Sequence, residues 1–371
     1  MSSYLFRVIV IPTSVFLSVL FGASYGSGRE VVEFVSSNGP TGGLVALLTL
    51  VLTHAVLLVL SFELARLFKS YDYVSFFKIL LKRGWVLYEI VILMGLVIAL
   101  SIATSVGGTV LEDHFGMSAW IGSLMILGVV VSLNYFGRKI VEGSMMLSVS
   151  ALFIVLTVLV VQLISGYSEQ VAATFSEFGY QDGGVYKGLM YAIGGGGYIP
   201  LLLYCATGLK TRSEAFTAGI VAALVAGVPA LVFHFAFMAG YPEIIEQRIP
   251  TYWMFNQIST PLMLNIYVAV MFVLISQTGV GVLQGLIQRL DVWHRQSKGK
   301  PLTSFGHAGV AAAAVIVSTA LGSMGIVALI LRGYTILFMS FIVVFVVPLL
   351  TYGLYLIFWR RNITSDSHLY S

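Results

Sequence analysis

Two clusters of small and polar residues interrupt apolar stretches that otherwise have the composition of membrane helices. The first is FGASYGSGREVVEF at residues 21–34, and the second is GGGG at residues 194–197, followed by Pro200. Each glycine costs about 1 kcal/mol of helix propensity relative to alanine, and a proline removes a backbone donor and clashes with the preceding turn. We therefore predict that both helices unwind at these clusters. Unwound peptide groups attract anions through N–H and cations through C=O, so the expected chemistry is reversible binding of a small solute or ion.

Close helix packing is the other explanation for these glycines. Small residues are common in membrane helices because they allow neighbouring backbones to approach. Gly22, Gly26 and Gly28 fit packing and unwinding equally well. Four consecutive glycines with a nearby proline favour unwinding, and the presence of two such clusters in one chain favours it further.

The composition places the chain in a lipid bilayer. Of its 371 residues, 58% are hydrophobic and 10% are charged, whereas a soluble domain carries about 25% charged residues. Too few charged side chains remain to cover a water-facing surface, so we predict an all-α polytopic membrane protein. The single cysteine, Cys205, excludes an intramolecular disulfide. The net charge of +4 does not indicate a nucleic-acid partner, because the positions of the basic residues explain it.

Ten stretches are long and apolar enough to cross a bilayer, which requires about 20 residues per helix. The first is a span rather than a cleavable signal, because its apolar run is too long and leads into another helical stretch. The ten cover approximately residues 6–37, 42–66, 84–108, 117–135, 140–165, 185–207, 213–240, 261–288, 305–323 and 334–358.

The basic residues test this count through the positive-inside rule. With the N-terminus in the cytoplasm, the cytoplasmic termini and loops hold 16 of the 20 lysine and arginine residues, and the outer loops are mostly acidic. A missed or surplus span would destroy this alternation. We therefore predict a multi-pass protein of the plasma membrane with both termini in the cytoplasm. The bilayer is its expected partner, and the oligomeric state is left open.

The two glycine clusters occupy corresponding places in two halves of the chain. The first span opens one set of five helices (residues 1–165), and the sixth opens a second set (185–358), within a single transmembrane domain, 1–371. Because five is odd, the second set is inserted with the opposite orientation. Interrupted spans at matching positions are typical of inverted-repeat transporters, since non-helical backbone at this depth must line a cavity or be buried in protein.

Four segments resemble a known group of membrane proteins. GASYGSGREVVEF (22–34), AIGGGGYIPLLLY (192–204), GIVALILRGYTILF (325–338) and VVFVVPLL (343–350) look like the YkvI-type family. The layout resembles the LeuT fold of the amino acid–polyamine–cation superfamily, and the resemblance covers nearly the whole chain. It implies ten helices in two inverted five-helix units, with the first and sixth helices unwound.

The resemblance implies a solute site between spans one, three, six and eight. Lone Ser, Thr and Gln side chains in a span are more often satisfied within their own helix, so those of spans three and eight are the weaker candidates. The implied substrate-binding residues are Ser24, Tyr25, Gly26, Ser27, Gly28, Ser101, Thr104, Gly194, Gly195, Gly196, Gly197, Tyr198 and Gln277.

The resemblance also implies where a coupling sodium ion would bind. Its ligands would be the carbonyl groups of Gly22, Tyr25 and Leu274, the Thr278 hydroxyl and, instead of a second hydroxyl, the amide oxygen of Gln277. Some proton-coupled relatives place a lysine in span five, but residues 140–165 contain none. We also identify no carboxylate at mid-membrane, so sodium is preferred to protons, and uncoupled exchange stays open. No other cofactor is expected.

Arg29 follows the first break directly. A cation is unfavourable at a helix N-terminus, so a compensating acid is expected, and Glu30 and Glu33 are nearby. The resemblance implies an outer gate between this position and an acid in span ten, but residues 334–358 contain no acid. We keep Arg29 as a gate candidate, with contact to an anionic group of the solute as the alternative.

These features predict a secondary transporter and not an enzyme. The sequence shows no metal-ligand cluster, no nucleophile–base–acid set and no phosphate-binding loop. The predicted cargo is a small organic solute, an amino acid or related zwitterion, moved by alternating access with sodium as the preferred coupling ion. A membrane receptor that binds solute on the same fold without moving it is the alternative, and a pore is third.

Overall fold

The structure, a computed structural model, describes residues 4–20, 22–136, 154–155, 157–300 and 302–359. Within these residues the chain is all-helical and forms no β-strand. The helices are α1 (Leu5–Leu20), α2 (Ala23–Gly26), α3 (Arg29–Phe34), α4 (Gly39–Phe68), α5 (Tyr73–Leu81), α6 (Trp85–Phe115), α7 (Ala119–Phe136), α8 (Thr157–Gly166), α9 (Ser168–Phe178), α10 (Gly184–Gly196), α11 (Arg212–Met238), α12 (Pro250–Ile258), α13 (Pro261–Lys298), α14 (Ser304–Gly322) and α15 (Ile326–Phe358). The sixth predicted span ends in a 3₁₀ segment, Ile199–Gly208.

Six helical stretches are long and apolar enough to cross a membrane, and a bent pair makes a seventh. The pair consists of α10 and the 3₁₀ segment, which meet at 64°. Three shorter apolar helices lie where spans one, four and five are predicted. Most of the predicted fifth span, 140–165, lies outside the described residues, so the count of ten stays a prediction.

The ends of two predicted spans can be compared with the structure. A 3₁₀ turn at Ser36–Asn38, followed by Gly39 with φ of 73°, separates α3 from α4 close to the predicted boundary between spans one and two. The last span begins at Ile326 rather than at residue 334, since a π-helical turn at Leu329–Gly333 continues its helix. The other described spans agree with prediction to within a few residues, apart from the longer ends of α6 and α13.

The contacts divide the helices into two groups. Helices α1, α4, α10 and α11 pack on one another, and α6, α7, α13 and α14 form the second group. The short helix α2 leaves the first group and contacts α6 and α13 of the second. Helix α15 touches both α10 and α6. The interrupted first span therefore lies between the two groups, where a shared site is expected.

Small residues allow the first group to pack tightly. A Cβ added at Gly184 or Gly188 would overlap the backbone of α4 at Gly42 and Ala46. Along α11, a Cβ added at Gly219 would lie 2.7 Å from the α4 backbone. Since helices in lipid associate through van der Waals packing, such close approach is a principal source of their cohesion.

Helix α5 packs its aromatic face against the rest of the protein. Phe76 and Phe77 are fully buried. Phe77 stacks on Tyr88, with ring centroids 3.9 Å apart, and also meets Phe345. The aromatic side chains of this segment therefore join α6 to α15.

Arg7 fastens α1 to α11 at the basic end of the bundle, which we define as the end that carries Arg7 and Glu214. The guanidinium donates to the Gly208 carbonyl and to both Glu214 carboxylate oxygens, at 2.7 and 2.6 Å. Glu214 also accepts from the Lys210 and Thr211 N–H groups, within a capping box that begins α11. Because a bidentate pair is strong and directional, it holds α1 against its neighbours.

Replacing Arg7 by methionine should free α1 while keeping an apolar stem. The reporter is Cys205, which is buried in the 3₁₀ segment against which α1 packs. We expect N-ethylmaleimide to modify Cys205 severalfold faster in Arg7→Met than in the native chain. The control is Arg295→Met, which removes an exposed ion pair within α13 and should leave the rate unchanged. Equal rates in all three proteins would show that Arg7 does not hold α1.

Candidate solute site at the two helix breaks

The first break separates α1 from α3. Helix α1 ends at Leu20, α2 forms one turn, and Gly28 has a left-handed backbone with φ of 74°. A Cβ at Gly28 would lie 2.6 Å from the Phe237 ring and 2.7 Å from a methyl carbon of Thr251. Position 28 therefore needs glycine for two reasons, because L-residues avoid this backbone region and because no space is left for a side chain.

Side chains from other helices bind the peptide groups that this break exposes. The Gly26 carbonyl accepts hydrogen bonds from the Thr251 hydroxyl at 3.0 Å and the Tyr267 hydroxyl at 2.9 Å. The backbone N–H of Thr251 donates to the Ser27 carbonyl at 3.2 Å. Thr251 belongs to α12, in the segment 241–259 that connects α11 to α13. This segment thus reaches down to the break.

The second break lies at Gly197–Tyr198. Helix α10 continues through Gly196 and ends there, so the predicted interruption lies at the last of the four glycines instead of extending across all of them. Beyond the break the chain turns by 64° into the 3₁₀ segment. The Gly197 carbonyl accepts a hydrogen bond from the Tyr88 hydroxyl on α6 at 2.9 Å. Both breaks therefore offer a carbonyl that a tyrosine from the second helix group caps.

The four glycines also form a packing surface, so both explanations for them hold. A Cβ at Gly194 would overlap the Phe338 ring, and one at Gly197 would overlap the Phe341 ring. At Gly195 and Gly196 it would lie 2.6 Å from leucine methyl carbons of α1 and α4. Tyr198 packs beside them, with its ring 5.4 Å from that of Phe341. Residues 194–197 therefore need to be small for packing, and the helix ends within the same run.

The structure brings several predicted sodium ligands together. A Cβ at Gly22 would lie 3.7 Å from the Thr278 hydroxyl, and one at Gly26 would lie 3.5 Å from the Leu274 side chain. The Thr278 hydroxyl donates to the Leu274 carbonyl at 2.9 Å. Gln277 precedes Thr278 on α13. The first break thus packs on this part of α13, and the role of these residues as ion ligands stays a prediction.

Two predicted residues of span three make their hydrogen bonds within their own helix. The Ser101 hydroxyl donates to the Val97 carbonyl at 2.8 Å, and the Thr104 hydroxyl donates to the Ser101 carbonyl at 3.0 Å. Thr104 lines a cavity of about 720 Å³ between α6, α7, α14 and α15, and its described lining contains no residue of either break. The structure therefore places Thr104 apart from the breaks.

The predicted first-break residues are mostly buried. Tyr25 is 5% exposed, with its ring 5.8 Å from that of Phe233. Ser27 is fully buried, and its hydroxyl oxygen accepts from the Arg29 N–H at 3.2 Å. Ser24 precedes Tyr25 in α2. The backbone of the first break is therefore buried in protein at Tyr25 and Ser27.

Arg29 ties the break to the segment 241–259. Its guanidinium donates to the Ile245 carbonyl at 2.7 Å, to the Gln247 carbonyl at 3.0 Å and to Glu33 at 3.1 Å. Lys187 of α10 is 3.7 Å from Glu33. The local acid expected for Arg29 is therefore Glu33, and the two loop carbonyls take the place of an acid in span ten. Sequence patterns do not reveal such carbonyl partners.

Glu30 is a site residue that the sequence analysis missed. It was considered only as a partner of Arg29, yet it is 9% exposed and accepts hydrogen bonds from Tyr334 at 2.7 Å and Tyr191 at 3.2 Å. Adjacent helical residues point roughly 100° apart, so Arg29 faces the loop while Glu30 faces α10 and α15. The available signal was an acid near a predicted break within a membrane span.

The fold of the chain is similar to that of a solved membrane transporter. The chain is similar to the manganese transporter of Eremococcus coleocola in complex with an aromatic bis-isothiourea substituted compound, with 13% identity, a TM-score of 0.53 and coverage of 93% of this chain and 78% of that chain. The chain has a LeuT-like transporter fold. Two mutants of the same transporter match at 13% identity over 95% of both chains, with TM-scores of 0.45. At this identity the likeness shows the fold alone.

Other comparisons add no family. No family model matches the chain, and no curated protein matches it. The apolar helices and the fold together make the chain a multi-pass membrane protein. The resemblance to the YkvI-type family stays a prediction.

Replacing Gly28 by alanine should destabilise the break. The left-handed backbone costs an alanine about 1–2 kcal/mol, and overlap with Phe237 and Thr251 adds roughly 1–3 kcal/mol. We expect a clearly lower melting temperature for the purified protein. The matched control is Gly22→Ala, whose new methyl group meets Thr278 at ordinary contact distance and should change stability little. Equal melting temperatures for the two variants would contradict the geometry of the break.

Proposed function

We propose that the chain is a secondary transporter that moves a small organic solute, an amino acid or related zwitterion, by alternating access. The observation that carries this proposal is the pair of interrupted spans, whose exposed carbonyls at Gly26 and Gly197 are capped by hydroxyl groups of other helices. A hydroxyl that caps a carbonyl through a hydrogen bond is replaceable by a donor of a solute. Breaks at matching positions also give each half a hinge.

Polar contacts at the two ends of the bundle support alternating access. At the end that carries residues 241–259, Arg29 binds loop carbonyls and Glu33. At the basic end, Arg7 binds Glu214. Each set of polar contacts holds one half of the first span, Arg29 on α3 and Arg7 on α1. We propose that the basic end faces the cytoplasm of a plasma-membrane protein, in keeping with the positive-inside distribution.

The similarity to a manganese transporter does not extend our proposal to manganese. Among the described residues, no three His, Cys, Asp or Glu side chains are grouped so that they could hold a metal ion. Mn²⁺ is usually bound by carboxylate, carbonyl and water oxygens. We propose membership of the YkvI-type family on the segments quoted above, and an organic solute as cargo.

The transport proposal is tested by counterflow in proteoliposomes. Vesicles that contain the purified chain are loaded with an unlabelled amino acid mixture and diluted into the same amino acids with a radioactive label. We expect transient accumulation of label in vesicles with protein and none in protein-free vesicles. Binding of labelled solute without accumulation would favour the receptor alternative, and single-channel currents would favour a pore.

Sodium coupling is tested at Thr278, beside Gly22. Binding stabilises a protein by RT ln(1 + [L]/Kd), so sodium at constant ionic strength should raise the melting temperature relative to potassium. Thr278→Val should abolish this difference because it removes the proposed hydroxyl ligand. The control is Thr49→Val, which removes a similar intrahelical hydrogen bond on α4. The absence of a sodium effect in the native chain, with or without amino acids, would remove the sodium site.

A further inference from the structure

A cavity lies apart from both helix breaks, at the end of the bundle that carries residues 241–259. Its volume is about 720 Å³, and it is bounded by α6, α7, α14, the first turns of α15 and Arg248. Small-molecule sites in proteins have volumes of about 300–1,000 Å³. Since the described lining contains no residue of either break, a ligand in this cavity does not occupy the proposed solute site.

Arg332 brings a positive charge to this cavity. It lines the cavity and is the only charged residue of α15, Ile326–Phe358. At 1.5 Å per residue it lies roughly 9 Å from the start of that helix. A charge inside an apolar span is costly, so such residues usually face a water-filled cavity or a partner. Within the part of the chain that the structure describes, its guanidinium forms no ion pair or hydrogen bond, which leaves it available to a ligand.

The other two charged residues of the described lining pair with each other. The Arg248 guanidinium donates to Glu112 at 2.7 Å and, outside the lining, to Asp113 at 2.6 Å. The charge of the Glu112 carboxylate is therefore balanced by Arg248. Arg332 carries the charge of the lining that is not balanced in this way, so the cavity favours an anion.

Polar and apolar groups accompany Arg332 in the lining. The Thr319 hydroxyl oxygen is buried and has no hydrogen-bond partner among the described residues. Since buried polar atoms nearly always have a partner, an exception beside a cavity is typical of a place where water or a ligand binds. Trp120 and Leu331 also line the space and are 55% and 46% exposed. They offer apolar surface to the body of a ligand.

We propose that this cavity binds an organic acid, that is, a carboxylate or similar acid group attached to an apolar body. The Arg332 guanidinium binds the acid group through paired N–H donors, the geometry in which arginine recognises carboxylates. The apolar body lies against Trp120 and Leu331. A zwitterion is a poorer ligand, because the one carboxylate of the described lining, that of Glu112, is paired with Arg248. The site thus differs from the proposed solute site in place and in charge preference.

The test measures binding of benzoate, benzylammonium and benzyl alcohol to the purified full chain by isothermal titration calorimetry at constant ionic strength. The probes have similar bodies and differ in charge, and saturable binding is expected for benzoate alone. In Arg332→Gln the Kd for benzoate should rise by about tenfold to a hundredfold, because a hydrogen bond to a charged group is lost. The proposal is overturned if either of the other probes binds as tightly as benzoate, or if Arg332→Gln leaves the benzoate Kd unchanged.

Two further variants control for indirect effects. Arg295→Gln removes an exposed arginine of α13 that pairs with Asp291, so the Kd for benzoate should stay within about threefold of the native value. An equal loss in Arg295→Gln and Arg332→Gln contradicts the site. Ala328→Trp keeps Arg332 and fills the cavity from α15, so benzoate binding should disappear. Retained binding in Ala328→Trp overturns the proposal, whether or not Arg332→Gln folds.

Anionic lipid head groups carry the same acid chemistry, and short-chain lipids distinguish the two sources. Dihexanoyl phosphatidylglycerol and dihexanoyl phosphatidylcholine are titrated into the native chain and into Arg332→Gln. Tighter binding of phosphatidylglycerol than of benzoate, lost in Arg332→Gln, identifies a lipid head group as the acid. Binding of benzoate without phosphatidylglycerol identifies a soluble organic acid. Equal binding of the two lipids without any binding of benzoate overturns the proposal.

Discussion

A backbone carbonyl that leaves a helix inside a membrane needs a hydrogen-bond donor, and this requirement governs the centre of the molecule. In lipid there is no water to supply the donor, and an unsatisfied group costs several kcal/mol. Here Tyr267 and Thr251 serve the Gly26 carbonyl, and Tyr88 serves that of Gly197. Tyrosine suits this task because an apolar ring carries the polar tip. The donors come from helices outside the broken spans, so each break is bound to its surroundings at one defined point.

The glycines at the two breaks allow close packing against neighbouring helices and also allow the helix to end. At Gly28 a positive φ and crowding by Phe237 both exclude a side chain. At Gly194 and Gly197 the helix approaches Phe338 and Phe341 so closely that a Cβ would overlap them. Packing and unwinding are therefore not alternatives in this molecule. Glycines that fit neighbouring rings bring α10 close to α15, and the same run weakens the helix where it ends.

The extent to which the sequence predicts this structure depends on the kind of feature. Long apolar runs place most helices well, as at Pro261, because hydrophobic length is a strong local signal. The direction in which Thr104 faces could not be predicted, since the apolar residues of α6 are distributed around the whole helix and indicate no preferred side. The hydrogen bonds from Arg29 to the Ile245 and Gln247 carbonyls could not be predicted either, because every residue has a backbone carbonyl and the residue type does not show which one accepts. The position of Glu30 near the predicted break could have identified it as a site residue, but the sequence analysis considered it only as an ion-pair partner of Arg29.

The short helix α3 connects the first break to the segment 241–259. It contains only six residues, so Arg29 on one side and Glu30 on the other belong to one rigid turn. A ligand shifts a conformational equilibrium only by its different affinity for the two states. Moving the α3 turn away from Tyr191 and Tyr334 also moves Arg29 relative to Ile245 and Gln247, because no flexible residue lies between the two side chains. Any ligand that contacts α3 more favourably in one of its positions therefore also favours one state of the loop contacts.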